Sequence, residues 1–339
     1  MKVGKMKKPV IAITMGDAAG IGPEITCKAL KNASIYGQCR PFVIGDANVL
    51  KQIISICNLG LDINLLSDIK DLNSCCGTID MLDFNDIKMD KLKFGKINSN
   101  CGSAAVKYTM EAGRMAMDNK IGAIVSAPLN KASMRAAGFN YEGQTEILGE
   151  LSGSNNYGMI LVLDYLKIMM YSTHMSLREA CDRVTYEGVL KKILLSHEGL
   201  KFFNLENPVI AVSALNPHAG EGGLFGMEEI EQIIPAIEKA KSMGINTVGP
   251  VPADVVFVKA KNKEYDLVIA MYHDQANMAM KLLGFGSVVT LLAGLPFIRT
   301  STGHGTAFDI AGRNIADETN LVKAIELAAE LGAKRLEGI

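Results

Sequence analysis

Val10-Ile-Ala-Ile-Thr-Met15 runs directly into Gly16-Asp-Ala-Ala-Gly-Ile-Gly22, and Pro23-Glu24 then opens an amphipathic stretch that reaches Lys31. A short apolar run bounded by glycine reads as a buried strand, and proline suits the first turn of a helix. The unit is strand, tight turn, helix, and it repeats outward along the chain. Further strands are predicted over Pro41–Gly45, Ala123–Ser126, Met159–Leu163, Ile168–Ser172, Val209–Ser213 and Leu267–Met271. Helices are predicted over Pro23–Lys31, Asn48–Cys57, Ala104–Asn119, Gly188–Leu195, Met227–Met243 and Leu321–Leu331. Strands alternating with helices specify parallel βαβ units, hence an α/β fold with covered sheets.

The chain of 339 residues is too long for one ordinary domain, and two of roughly 150 residues are expected. No Gly/Ser/Pro-rich linker separates them, so the chain is expected to cross between the domains more than once. Its 48% hydrophobic and 21% charged residues exclude a disordered chain. The 35 basic and 36 acidic residues nearly cancel, which argues against nucleic acid or an anionic membrane as partner. An anionic ligand must then be met by a local cluster of positive charge. The first apolar run is too short for a secretory signal, and the longest later one, Val288–Ile298, contains Gly294 and Pro296. Neither predicts a membrane span. The seven cysteines, at 27, 39, 57, 75, 76, 101 and 181, form no CxxC pair. They read as reduced thiols in a cytoplasmic protein.

Of the five histidines, three share one context. His174, His218 and His273 each follow a predicted strand, in Ser-Thr-His-Met, Asn-Pro-His-Ala-Gly-Glu-Gly-Gly and Met-Tyr-His-Asp-Gln. Ligand sites of open α/β sheets lie just beyond the C-terminal ends of strands. Three imidazoles there suit a divalent metal with an open coordination position. Asp274 can ligate or orient its neighbour His273. A lone histidine in such a place is more often a hydrogen-bonded structural residue, but three in equivalent places point to a shared site. His197 reads as a solvated helix residue.

The turn Gly16–Gly22 has glycines but not the spacing of a dinucleotide fingerprint, so a tight structural turn is the simpler reading. Gly220–Gly226 brings backbone N–H groups close to His218. Arg299 ends an apolar strand, where its guanidinium can grip carboxylate or phosphate, or serve an internal salt bridge. Lys281 lies among Met and Leu, either at a ligand or snorkelling at the surface. His304, between glycines, either touches a ligand or finishes a turn.

Met15–Glu24, Ser126–Lys131, Thr173-His174, Leu215–Gly223, Tyr272–Gln275 and Gly294–Ser301 with His304–Ala307 together resemble the 4-hydroxythreonine-4-phosphate dehydrogenase family, nearly end to end. The resemblance implies two α/β/α domains with a cleft between them, like isocitrate and isopropylmalate dehydrogenases. Residues 1–135 with 285–339 would carry the cofactor loop, and residues 136–284 the metal and the contacts of a homodimer. It implies one divalent ion (Zn, Mg, Mn or Co) on His174, His218 and His273, one ligand crossing from the second subunit. Substrate contacts fall on Gln144, Thr145, Lys281, Thr290 and Arg299, and NAD on Gly303, His304, Gly305, Thr306 and Ala307.

Two positions depart from the family pattern: Gln144 stands where histidine is usual, and Thr290 where asparagine is usual. Met280-Lys281-Leu282 and Ser301–Asp309 resemble more closely the branch acting on D-threonate or D-erythronate 4-phosphate. The expected activity is oxidation and decarboxylation of such an acid to dihydroxyacetone phosphate and CO2, with Lys281 transferring a proton and Asp274 assisting. The alternatives are the 4-phosphohydroxy-L-threonine dehydrogenase of pyridoxal phosphate (pyridoxine) biosynthesis, a phosphate acyltransferase-like enzyme, and a non-catalytic metal- or phosphate-binding protein.

Overall fold

The computed structural model describes residues 8–284 and 286–337. In chain order the strands are β1 (Val10–Thr14), β2 (Arg40–Gly45), β3 (Asp62–Leu65), β4 (Thr78–Asp83), β5 (Ala123–Ser126), β6 (Gly158–Leu163), β7 (Leu166–Met170), β8 (Ile210–Ser213), β9 (Thr247–Val251), β10 (Leu267–Ala270), β11 (Val289–Ala293) and β12 (Ile298–Thr302). The α-helices are α1 (Gly22–Leu30), α2 (Ala33–Gln38), α3 (Ala47–Cys57), α4 (Ser99–Met117), α5 (Lys131–Ala136), α6 (Gln144–Ser152), α7 (Leu177–Asp182), α8 (Tyr186–Leu200), α9 (Ile234–Ser242), α10 (Ala253–Lys261), α11 (His273–Gly284) and α12 (Thr319–Glu337). The fold is mixed α/β.

Two compact units emerge, Met1–Asn155 with Leu295–Ile339, and Asn156–Gly294. The crossings lie later than positions 135 and 284, where the sequence reading drew them. Helix α6 stays with the first unit because Gly113 on α4 leaves room for Leu148 and Leu151 of α6. Strand β11 stays with the second because it pairs with β6 over five residues.

In the first unit the strand order is β3-β4-β2-β1-β5-β12, and its pairs are parallel. Ile11, Ile13, Phe42, Ile44, Ile124 and Val125 are fully buried, as parallel strands covered on both faces require. Helix starts are marked by side chains that accept from unpaired N–H groups: Asp46 caps α3, Asn98 caps α4 and Asn130 caps α5.

In the second unit the order is β11-β6-β7-β10-β8-β9. Here one expectation fails: β6 is antiparallel to both its neighbours. Only Asp164 and Tyr165, with Asp164 at φ 49°, separate β6 from β7, and so short a connection can join only antiparallel strands. The remaining pairs, β7–β10, β10–β8 and β8–β9, are parallel. Leu161, Ile168, Ala211, Val256, Val268 and Met280 belong to the core of this unit.

Candidate active site

Strands β7, β10 and β8 are neighbours and run in one direction, so their C-terminal ends open on one edge of the sheet. His174, His273 and His218 follow those three ends. The His174 and His273 rings lie with centroids 5.8 Å apart, tilted by 45°. His273 Nδ1 is 2.7 Å from Asp274 Oδ1. An ionised carboxylate only accepts, so the ring proton is assigned to Nδ1 and Nε2 is left as a donor atom for a metal.

The two histidine segments are tied together below the rings. Tyr171 N donates to Ala270 O at 2.8 Å, and Ser172 Oγ donates to Met271 O at 2.9 Å. Gln275 extends the tie to the third strand: its Oε1 accepts from Met271 N and its Nε2 donates to Ala214 O.

His218 sits differently. Residues 218 to 222 all have positive φ, from 44° at Glu221 to 79° at Gly220. A non-glycine residue in that region costs roughly 1–2 kcal/mol, so three of them need a strong anchor. Glu229 provides it, a buried carboxylate accepting from Leu215 N, Asn216 N and Asn216 Nδ2. The His218 imidazole is exposed, 4.0 Å from Glu221. Among the described residues no group of three or more His, Cys, Asp or Glu side chains is placed to hold a metal. One chain thus brings two of the three histidines together.

Lys281 is exposed in the last turn of α11, about 12 Å along the axis from His273 at 1.5 Å per residue. Thr290 is buried in β11, opposite Leu161 of β6. His197 departs from its expected solvation: it is half-buried on α8, its Nδ1 buried with no partner among the described residues.

In the first unit Arg299 does not end a strand, as expected, but is the second residue of β12, 4% exposed, because the strand begins only after the bend at residues 294–297. Its Nε donates to Ser126 Oγ at 3.0 Å, and no ion pair to it forms among the described residues. Burial pushes the guanidinium down to about 10, with the Glu146 carboxylate acting the other way. The salt-bridge alternative for Arg299 is therefore not realised among the described residues. Gln144 starts α6 with its amide engaged at both ends, donating to Ala127 O at 2.9 Å and accepting from Thr109 Oγ1 at 3.4 Å. Thr145 follows it, half-buried.

Gly303, His304 and Gly305 are exposed, Thr306 is buried and Ala307 has φ 41°. A Cβ at Gly305 would meet nothing within 4 Å, so this backbone is open to close approach. Residues the sequence reading passed over are the buried carboxylates Asp17 and Glu24, both within the stretch 16–24. Burial pushes Asp17 up to about 6, opposed by the Ala19 N–H and the nearby Ser133 hydroxyl. Their signal was present: acidic residues inside an otherwise apolar, glycine-rich stretch.

Residues 37–328 match the family described as pyridoxal phosphate biosynthetic protein PdxA. The chain belongs to the PdxA family. A PdxA relative from Oceanobacillus iheyensis, named "Putative D-threonate 4-phosphate dehydrogenase", is 45% identical over 96% of this chain and 98% of its own. A solved 4-hydroxythreonine-4-phosphate dehydrogenase from Burkholderia phymatum is 42% identical, with a TM-score of 0.88 over 96% of this chain and 98% of its own. One from Klebsiella pneumoniae is 37% identical, with a TM-score of 0.92 over 97% and 99%. Among the described residues no helix is long and apolar enough to cross a membrane.

Proposed function

We propose that this PdxA-family protein is an NAD- and divalent-metal-dependent dehydrogenase acting on a four-carbon 4-phosphorylated hydroxy acid. At C3 of 4-phospho-D-threonate or 4-phospho-D-erythronate the hydroxyl loses a proton and the carbon loses a hydride to NAD. The resulting β-keto acid loses C1 as CO2 and gains a proton at C2, giving dihydroxyacetone phosphate. The observation that carries the reading is the His174–His273 pair at the ends of adjacent parallel strands, with Asp274 fixing His273. Two neighbouring imidazoles, one with its proton committed to a carboxylate, fit a divalent ion. The open backbone at Gly303–Gly305 fits a dinucleotide. When bound, the ion supplies Lewis acidity toward a hydroxyl oxygen, and NAD supplies the hydride acceptor.

The chain's own residues do the rest. Asp274 holds the His273 tautomer. Arg299, a buried cation that forms no ion pair among the described residues, receives an anionic group of the substrate, and Ser126 orients its guanidinium. Gln144, Thr145 and Thr290 complete the polar contacts, and Lys281 delivers the proton to C2. The third imidazole, His218, comes from a second copy of the chain, which makes the active species a homodimer in the cytoplasm.

The names of the two solved relatives favour a second reading, 4-phosphohydroxy-L-threonine as substrate. The test is absorbance of reduced nicotinamide after adding NAD, a divalent metal and each 4-phosphorylated acid, with and without chelator. Metal-dependent reduction with the hydroxy acid is expected. No reduction with any of the acids overturns the dehydrogenase reading in favour of a phosphate acyltransferase or a binding protein.

A further inference from the structure

The Gly16–Glu24 stretch, a tight turn in sequence, receives a distant segment of the chain in space. Ile21 N donates to Thr306 O at 3.0 Å. A Cβ at Gly20 would stand 2.9 Å from Thr306 Cβ and 3.0 Å from Thr306 O, so only glycine admits residue 306 there. Asn130 Nδ2 reaches Thr306 Oγ1 at 3.3 Å from a third direction. The turn is filled by protein, which leaves no room for a phosphate at Gly20.

One helical turn further on, Glu24 and Lys28 lie four residues apart on α1 and form an ion pair at 2.8 Å. Together they take both backbone groups of one residue: Ala316 N donates to Glu24 Oε1 at 2.9 Å, and Lys28 Nζ donates to Ala316 O at 2.8 Å. Glu24 is fully buried. At the other end of the same loop, Asn320 Oδ1 accepts from Gly303 N at 2.7 Å. Between these anchors, Gly312 packs on the Phe94 ring and Gly95 on Phe308 O, neither with space for a side chain. The 303–316 loop is therefore held at Gly303, at Thr306 and at its end, while residues 303–305 remain exposed between the first two anchors.

We infer that Gly20, Glu24 and Lys28 are positioning residues that preset the 303–316 loop for a dinucleotide. The inference rests on the proposed cofactor role of that loop. Ordering a loop before the ligand arrives spares the ligand the entropy of ordering it, so loosening the anchors must weaken binding. The hydride transfer itself is untouched, because none of the three residues meets the reacting atoms.

The test uses full-length Lys28→Met and Gly20→Ala with Glu24→Gln as the conservative variant, whose side-chain oxygen can still accept from Ala316 N. Amide hydrogen exchange of the protein without ligand is expected to quicken about tenfold or more across 303–316 in the first two variants, with β1 and β5 unchanged. NADH fluorescence titration is expected to show a Kd about tenfold weaker, and KM for NAD should rise with kcat nearly constant. Glu24→Gln should lie closer to wild type in all three. Unchanged exchange across 303–316 in both variants overturns the inference, as does faster exchange with unchanged Kd. A wild-type protein that binds no NADH refutes the cofactor reading of the loop, and the exchange arm then still decides whether the anchors hold it.

Discussion

Replacing Arg299 by methionine is expected to stabilise the protein while removing its hold on anions. The guanidinium is buried on β12 and pushed below its ordinary value to about 10, chiefly by loss of water. That displacement corresponds to about 3 kcal/mol against the charged form in the folded state. The folded value lies below the unfolded one, so at every pH below about 10 the arginine is charged in both states and the fold carries the full penalty. Relief begins only as pH rises through about 10. Methionine has similar reach and no charge. Its introduction leaves Ser126 Oγ without its donor, which costs about 1 kcal/mol. The net expectation is a gain of about 1–2 kcal/mol at pH 7. With no tryptophan in the chain, urea unfolding is best followed by far-UV circular dichroism. The variant's midpoint should rise at an unchanged slope. Inorganic phosphate at 100 times its Kd should add about 2.7 kcal/mol to wild type and nothing to the variant. A variant destabilised by more than about 1 kcal/mol at the same slope, or one that phosphate still stabilises, refutes the reasoning.

Asp17→Asn should also raise stability at pH 7: burial holds this carboxyl at about 6, above its ordinary 3.8, so wild type loses stability as pH climbs from about 4 through 6 and the variant should not. Thermal midpoints between pH 4 and 8 check this, and parallel curves for the two proteins would sink it. Mixing inactive His218→Ala and His273→Ala chains should restore roughly a quarter of wild-type activity through hybrid dimers with one intact site, whereas a fully active monomer in sedimentation rules out the shared ligand set. The kcat/KM for D-threonate 4-phosphate or D-erythronate 4-phosphate should exceed that for 4-phosphohydroxy-L-threonine, since Gln144 presents a neutral amide already committed to Thr109 and Ala127. A preference for the amino acid removes that branch while leaving the dehydrogenase reading in place.

Hydrophobic period and punctuation carried much of the fold. Runs such as Val10–Thr14 and Leu267–Ala270 are short, apolar and bounded by turns, and they announce buried strands, though not their direction, as the equally apolar β6 shows. Strand β3, with no buried residue and an aspartate and asparagine among its four, gave no such signal. The antiparallel turn of β6 into β7 was legible only in the shortness of the Asp164-Tyr165 connection.

The sequence by itself determined the class of the fold and the three histidines beyond strand ends, because burial and strand termini leave local traces in residue type; it did not place Arg299, which lies near the start of β12. The tertiary structure alone decided that β7, β10 and β8 are neighbours, so that His174 and His273 meet while His218 turns away in a left-handed loop. It alone decided that Gly20 receives Thr306 and that Glu24 and Lys28 grip Ala316, nearly three hundred positions along the chain. Strand order and such distant packing are set by which surfaces find each other once the chain has collapsed, and no local period records that choice.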